Sequence, residues 1–266
     1  EDGIRDKLVT GVQTCARPIY SLLIDGVSPN RLALRRALLS PSAGMLQPRS
    51  QSEFVRFQQM AFDVLTAPQL RQCFDPALIT SDVRDRYGNT LFGNSAWMAT
   101  KLVAAGVRFV NVIWTWYYGA YPGVADYGWD THEHNFSIQR SYLPQGDRVF
   151  SGLMEDLERT GLIDETLVVL TTDFGRTPGV NATAGRDHWM HCYSTVLAGA
   201  GIRGGTVPGA SDSSAAWPVD GAVRPADICA TIYHLLGIDP DTYVYDRLNR
   251  PHKVAQGGEP IQQILV

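Results

Sequence analysis

The chain has 266 residues, enough to bury a substantial core, and its 44% hydrophobic and 19% charged content exclude a disordered polymer. A net charge of −4 excludes a global electrostatic case for binding nucleic acid or an anionic membrane. No apolar run approaches the roughly 20 residues that span a bilayer, and Cys15, Cys73, Cys192 and Cys229 form no C-x-x-C pair, so neither a zinc knuckle nor a disulfide framework is indicated.

Residues 1–19 lack the basic start and apolar centre of an export signal. They closely resemble translated sequencing-adapter read-through and are expected to be a non-native leader. Residues 20–266 are then expected to form the C-terminal part of one domain, its N-terminal part and any export signal lying upstream.

From Pro29 to Phe74 the chain reads as helical, over Arg31 to Leu39 and again over Ser52 to Leu65, where Phe54, Phe57, Met60, Ala61 and Val64 fall near helical spacing. Pro41, Gly44 and Pro48 separate the two. A third helix is expected from Asn94, as cap, to Ala105, with Gly106 past its end, followed by a buried strand from Val107 to Trp114. Asp147 to Thr160 carries the next apolar stripe and Leu167 to Leu170 the next strand. Tyr193 to Ala198 is a further strand, and Gly199 to Val223 a loop or edge hairpin. Pro225 opens a last helix through Leu236, with Ile228, Ile232, Leu235 and Leu236 inward and Gly237 ending it. Alternation of this kind predicts an α/β fold with a mixed, mainly parallel sheet and helices on both faces.

Two short segments, Gly128-Trp-Asp-Thr-His-Glu-His134 and Gly185-Arg-Asp-His-Trp-Met-His191, hold four of the six histidines beside carboxylates. Carboxylate oxygen and imidazole nitrogen are ligands for zinc, manganese and related divalent ions. If the first segment is extended, Asp130, His132 and His134 share a side; if it opens a helix, Asp130 and His134 lie one turn apart. Asp173 follows the apolar run Leu167–Leu170, at the strand end where ligands bind in such sheets. Asp187 and His188 offer a further ligand and a carboxylate to orient it. Arg176 suits an anionic substrate group.

Two tempting matches fail. Gly199-Ala-Gly-Ile-Arg-Gly204 fits a dinucleotide pattern, but Pro208 and Gly209 follow where a helix must begin. Asp173-Phe-Gly175 matches a kinase triplet without a catalytic loop or a phosphate loop. His234 and His252 lack clustered carboxylates and read as surface or structural residues.

Gly128-Trp-Asp-Thr-His132 with Asn135-Phe136, then Leu143-Pro144, Asp173-Phe-Gly-Arg-Thr-Pro178 and Gly185-Arg-Asp-His-Trp189 together closely resemble the bacterial family catalogued as domain of unknown function 1501. Arg86-Tyr-Gly88, Leu102 to Phe109 and Pro225 to Asp239 fit it too, so the resemblance runs from about Ser21 to Leu265. That family looks like a branch of the alkaline phosphatase and sulfatase superfamily, which hydrolyses phosphate or sulfate esters with one or two bound metals.

The resemblance implies an alkaline phosphatase-like fold, incomplete at its N-terminus. It implies metal ligation by Asp130 with His132 or His134, by Asp173 and by His188, with Asp187 completing or orienting the set. Zinc, manganese or calcium is the expected ion. Arg176 or Arg186 would steady anionic charge, and the nucleophile stays unassigned because the superfamily's lies upstream. Where the superfamily commonly has Asp-His at the strand end, this chain has Asp173-Phe174. The expected substrate is a small-molecule or carbohydrate ester, and the expected location the periplasm or cell envelope. The alternative is a non-catalytic carbohydrate-binding protein using the aromatic run from Trp114 to Tyr127. A metal-dependent amidohydrolase rests only on His132-x-His134, and the elements do not count to a barrel of eight.

Overall fold

The computed structural model describes residues 12–14, 28, 30, 31, 34, 37, 49–114 and 128–266. They fall into two compact units, one within Gly11–Trp114 and one within Thr115–Val266. Among the described residues no helix is long and apolar enough to cross a membrane.

In the first unit, strand β1 (Val12–Thr14) lies within the expected leader and pairs in parallel with β2 (Val110–Val112). Residues 30, 31, 34 and 37 are helical, as expected of Arg31 to Leu39. Helix α1 (Arg49–Thr66) contains the second expected segment, yet Phe57 and Met60 of its stripe remain exposed. Helix α2 (Pro68–Cys73), with proline in its first turn, falls within the expected helical range Pro29 to Phe74, whereas α3 (Ser81–Tyr87), capped by Thr80 Oγ1, was not legible in the periodicity. Helix α4 (Leu91–Ala104) starts a turn before Asn94, because Thr90 Oγ1 accepts from Gly93 N at 3.0 Å and takes the capping role. Gly93 is required there, since a Cβ would collide with the carbonyl of Tyr87. The core of this unit is Phe74, Val83, Tyr87, Trp97, Met98 and Leu102. Each such side chain, fully buried, contributes about 1.5–3 kcal/mol.

The second unit is built round α5 (Asn135–Thr160), which buries Ile138, Tyr142, Val149, Gly152, Asp156 and Leu157. It begins twelve residues before the expected Asp147, running through Pro144. An interior proline forfeits one backbone hydrogen bond and costs about 3 kcal/mol; burial of Ile138 and Tyr142 on the preceding turns offsets it. Gly161, at φ 71°, ends the helix in the left-handed conformation.

Strand β3 (Leu167–Leu170) is where the apolar run predicted it, and it pairs with β6 (Val196–Gly199), Leu167 opposite Gly199. Between them, β4 (Gly175–Arg176) and β5 (His188–Trp189) form a second pair, with Arg176 opposite His188. Beyond β6 come β7 (Ala210–Ser211) with β8 (Pro218–Asp220), then α6 (Pro225–Leu235), then β9 (Tyr243–Tyr245) with β10 (Pro251–Lys253).

Among the described residues the four pairs of this unit are antiparallel, and each sheet has two strands. The mainly parallel sheet with helices on both faces is therefore corrected: among the described residues the fold is α/β with small two-stranded sheets. The reason lies in residues 171–195. A parallel β3–β6 pair would need a crossover, usually a helix, and this stretch instead folds into a hairpin that returns the chain antiparallel.

Of the residues expected inward on helix α6, Ile228, Ile232 and Leu235 are half-buried and Leu236, its C-cap, is 49% exposed. Ala230 and Thr231 are fully buried. Polar groups anchor it: Asp227 accepts from Glu259 N and Thr231 Oγ1 from Ile261 N, both at 3.0 Å, tying down the C-terminal segment. The Arg224 guanidinium, 2.7 Å away, lowers the Asp227 pKa to about 2. A depressed carboxylate stabilises the fold above its ordinary value of 3.8 and loses that contribution as pH falls toward 2. Asp227→Asn should lower stability at pH 7 by roughly 1 kcal/mol after allowing for solvent screening. Urea denaturation should show variant and wild type converging between these two pH values.

Candidate metal centre

The site begins with an irregular stretch ahead of α5, in which Thr131 is fully buried while its neighbours Asp130 and His132 are open to solvent, Asp130 exposed and His132 half-buried. Helix α5 opens only at Asn135, so His134 is its cap residue, exposed and left-handed at φ 52°. The one-turn pairing of Asp130 with His134 therefore does not form.

The second part is the β4–β5 hairpin with its loop 177–187. Asn181 Oδ1 organises that loop by accepting from Thr183 N (3.1 Å), Thr183 Oγ1 (2.9 Å) and Gly185 N (2.8 Å). Backbone bonds dock it on the stretch 131–135: His134 N to Thr183 O, Asn135 N to Ala184 O and Arg186 N to Thr131 O, at 2.9–3.1 Å. Gly185 makes this possible, because a Cβ would overlap the His132 carbonyl well under 3.0 Å.

These contacts converge Asp130, His132 and His188, whose ligand atoms all lie within 4.8 Å of one another. His132 Nε2 is 3.0 Å from His188 Nε2 and 3.2 Å from Asp130 Oδ1, and His188 Nε2 is 3.9 Å from the same oxygen. Ligands about 2.0–2.1 Å from a tetrahedral ion are about 3.3 Å apart, so the three separations straddle the value that an ion would impose. Side-chain exposures of 66%, 42% and 51% for Asp130, His132 and His188 leave the group open to solvent.

The surroundings fix the two ends of the group. On the far side of the His132 ring, Nδ1 lies 2.9 Å from Asp187 Oδ1, which also accepts from Asn181 Nδ2. A proton on Nδ1, donated to Asp187, leaves the Nε2 lone pair directed at the shared point, the carboxylate–histidine arrangement found behind metal-binding imidazoles. Arg176 donates from Nη2 to Asp130 Oδ1 at 2.8 Å and from Nη1 to Arg186 O. That guanidinium, first, holds the Asp130 carboxyl below its usual range, and the His132 hydrogen bond does the same for Asp187. Both are carboxylates at neutral pH, as ligation and orientation require.

The remaining expected residues sit elsewhere. Asp173 Oδ1 accepts from its own turn, Phe174 N at 2.9 Å and Thr172 Oγ1 at 3.1 Å, and lies outside the three-residue group. Phe174 packs its ring against His188, centroids 4.3 Å apart. Arg186 spends its guanidinium on the carbonyls of Thr177 and Arg176, bracing the hairpin. Asp187 supports His132 rather than its neighbour His188. Asn181 went unnoticed in the sequence, although Asn-x-Thr-x-Gly is a turn-forming composition. His252 pairs with Asp246 at 3.4 Å, away from the centre. Of the aromatic run, Trp114 stacks on Phe92 at 4.1 Å, and Thr115 to Tyr127 lie outside the described residues.

A family model described as a protein of unknown function (DUF1501) matches residues 22–265. No curated protein and no solved structure matches the chain.

Proposed function

The chain belongs to the DUF1501 family of proteins of unknown function, and we propose that it is a metal-dependent hydrolase of phosphate or sulfate esters, of the alkaline phosphatase and sulfatase kind. The observation that carries this reading is the convergence of Asp130, His132 and His188 at a solvent-open point, with Asp187 behind His132. Three protein ligands and an open position are what catalytic zinc sites have, whereas structural sites are closed by four. When bound, zinc or a similar divalent ion supplies Lewis-acid chemistry, drawing charge from an ester oxygen.

The chain's own groups have separable tasks on this reading. His132 and His188 offer ring nitrogens, and Asp130 a carboxylate. Asp187 holds the His132 proton on Nδ1 and thereby frees Nε2. Arg176 fixes Asp130 and keeps positive charge beside it, where an anionic ester would approach; with its side chain 19% exposed, it is a positioning residue first. Arg186 holds the hairpin that presents His188.

The test is hydrolysis of 4-nitrophenyl phosphate and 4-nitrophenyl sulfate by the native protein, any region upstream of this chain included, loaded with zinc, manganese or calcium. Chelator-sensitive turnover of one ester is expected, falling at least about tenfold in Asp130→Asn. Stoichiometric metal binding without turnover of either ester, for all three ions, would overturn the hydrolase reading while leaving the centre in place.

A further inference from the structure

Trp189 follows His188 in β5, and alternation sends its side chain to the opposite face of the strand. There it joins an aromatic group that the metal centre does not use. The Trp189 indole donates to Ala216 O at 2.7 Å and stands at 75° to Trp217, centroids 5.5 Å apart. His191 lies 4.1 Å from Trp217, tilted by 33°, and 4.9 Å from Trp189. The turn carrying Trp217 is fixed by Asp212, whose Oδ1 accepts from Ser214 N, Ser214 Oγ and Ala216 N at 2.9–3.1 Å and whose N donates to Trp217 O at 2.8 Å.

Held in this way, Trp217 still leaves 48% of its surface open, and His191 is exposed beside it. The imidazole covers one side of the indole at near-stacking distance, so the open surface includes the other. An aromatic ring already locked in place loses little conformational freedom when something stacks on it. The rim is polar, with the His191 imidazole next to a flat apolar face. That combination matches a ligand with a flat C–H face and hydroxyls round its edge; a wholly apolar partner would strip water from the rim groups without replacing their hydrogen bonds.

We infer that Trp217, backed by His191 and braced by Trp189, is a stacking platform for a pyranose ring, which makes the chain a carbohydrate binder. Insofar as it names a carbohydrate ester as the substrate, this rests on the hydrolase reading; the sugar contact itself does not.

Isothermal titration of the chelator-treated chain with cellohexaose, chitohexaose and xylohexaose tests it apart from the metal. Saturable binding of at least one oligosaccharide is expected, about tenfold weaker in Trp217→Ala, in line with loss of a tryptophan anchor, and largely retained in Trp217→Phe, which keeps a ring. Zinc affinity in Trp217→Ala should equal that of wild type, so the platform and the centre stand or fall separately. Absence of binding to all three sugars at millimolar concentration would overturn the inference, as would equal binding by Trp217→Ala. So would a wild-type dimer, seen by sedimentation, that Trp217→Ala dissociates while sugars have no effect, because the face would then belong to a second copy of the chain.

Discussion

Replacing Gly185 with alanine is expected to lower the unfolding free energy by about 3 kcal/mol, at the upper end of what overpacking a tight site costs, and to remove metal binding with it. The added methyl would meet the His132 carbonyl and the Glu133 amide nitrogen, which are backbone and have no rotamer by which to retreat. Relief requires the loop 181–187 to lift from the stretch 131–135. That breaks the Arg186–Thr131 and Asn135–Ala184 backbone bonds and withdraws Asn181 Nδ2 from the His132 carbonyl. His188 and Asp187 are carried by this loop and its hairpin, so both would leave His132. Gly179 is the control: a Cβ there meets nothing within 4 Å, and Gly179→Ala should change stability by no more than about 0.5 kcal/mol. Urea denaturation of the two variants reads the difference as a lower midpoint for Gly185→Ala alone.

The second large effect separates ligand from support. Asp187→Asn keeps an oxygen near His132 Nδ1 but removes the charge that favours the useful tautomer, and zinc affinity should fall about 10–100-fold, the range for groups behind a ligand. His132→Ala removes the ligand nitrogen itself and strands the Asp187 carboxylate, so its loss should exceed that range. Arg176→Ala tests the other end: Asp130 loses its 2.8 Å partner, and affinity should weaken while remaining measurable. Competition titration against a chromophoric zinc chelator orders the three variants, and equal affinities for Asp187→Asn and His132→Ala would contradict the assignment of roles.

Residue chemistry was legible in the sequence where function concentrates it. Asp130-x-His132 and Asp187-His188 stood out as paired carboxylates and imidazoles, and the fold brings these four together. The choice between His132 and His134 was not legible, because it depends on where α5 begins. The apolar stripe was read from Asp147, and the packing of Ile138 and Tyr142 reveals the earlier start at Asn135. Asp173 illustrates a local competition: following a strand gave it the right position, but its own turn offered two donors nearer than the centre.

Strands β3 and β6 were legible as apolar runs, whereas their direction was not, since hydrophobic runs carry no sign. The deciding feature was the stretch 171–195, where Gly175, Gly185 and Asn181 specify a hairpin rather than a helical crossover. Helix α3 was missed because seven residues hold too few turns for a periodicity to emerge; its cap, Thr80, was the available signal. The bonds from Asp227 and Thr231 to two backbone amides far along the chain were likewise not legible.

The most direct measurement is zinc stoichiometry by plasma mass spectrometry after reconstitution and desalting, on wild type and on His188→Ala. The Asp130–His132–His188 centre predicts one ion per wild-type chain and its loss in the variant. Wild type that retains no zinc, manganese or calcium under these conditions, or a His188→Ala variant that retains the full complement, would contradict it.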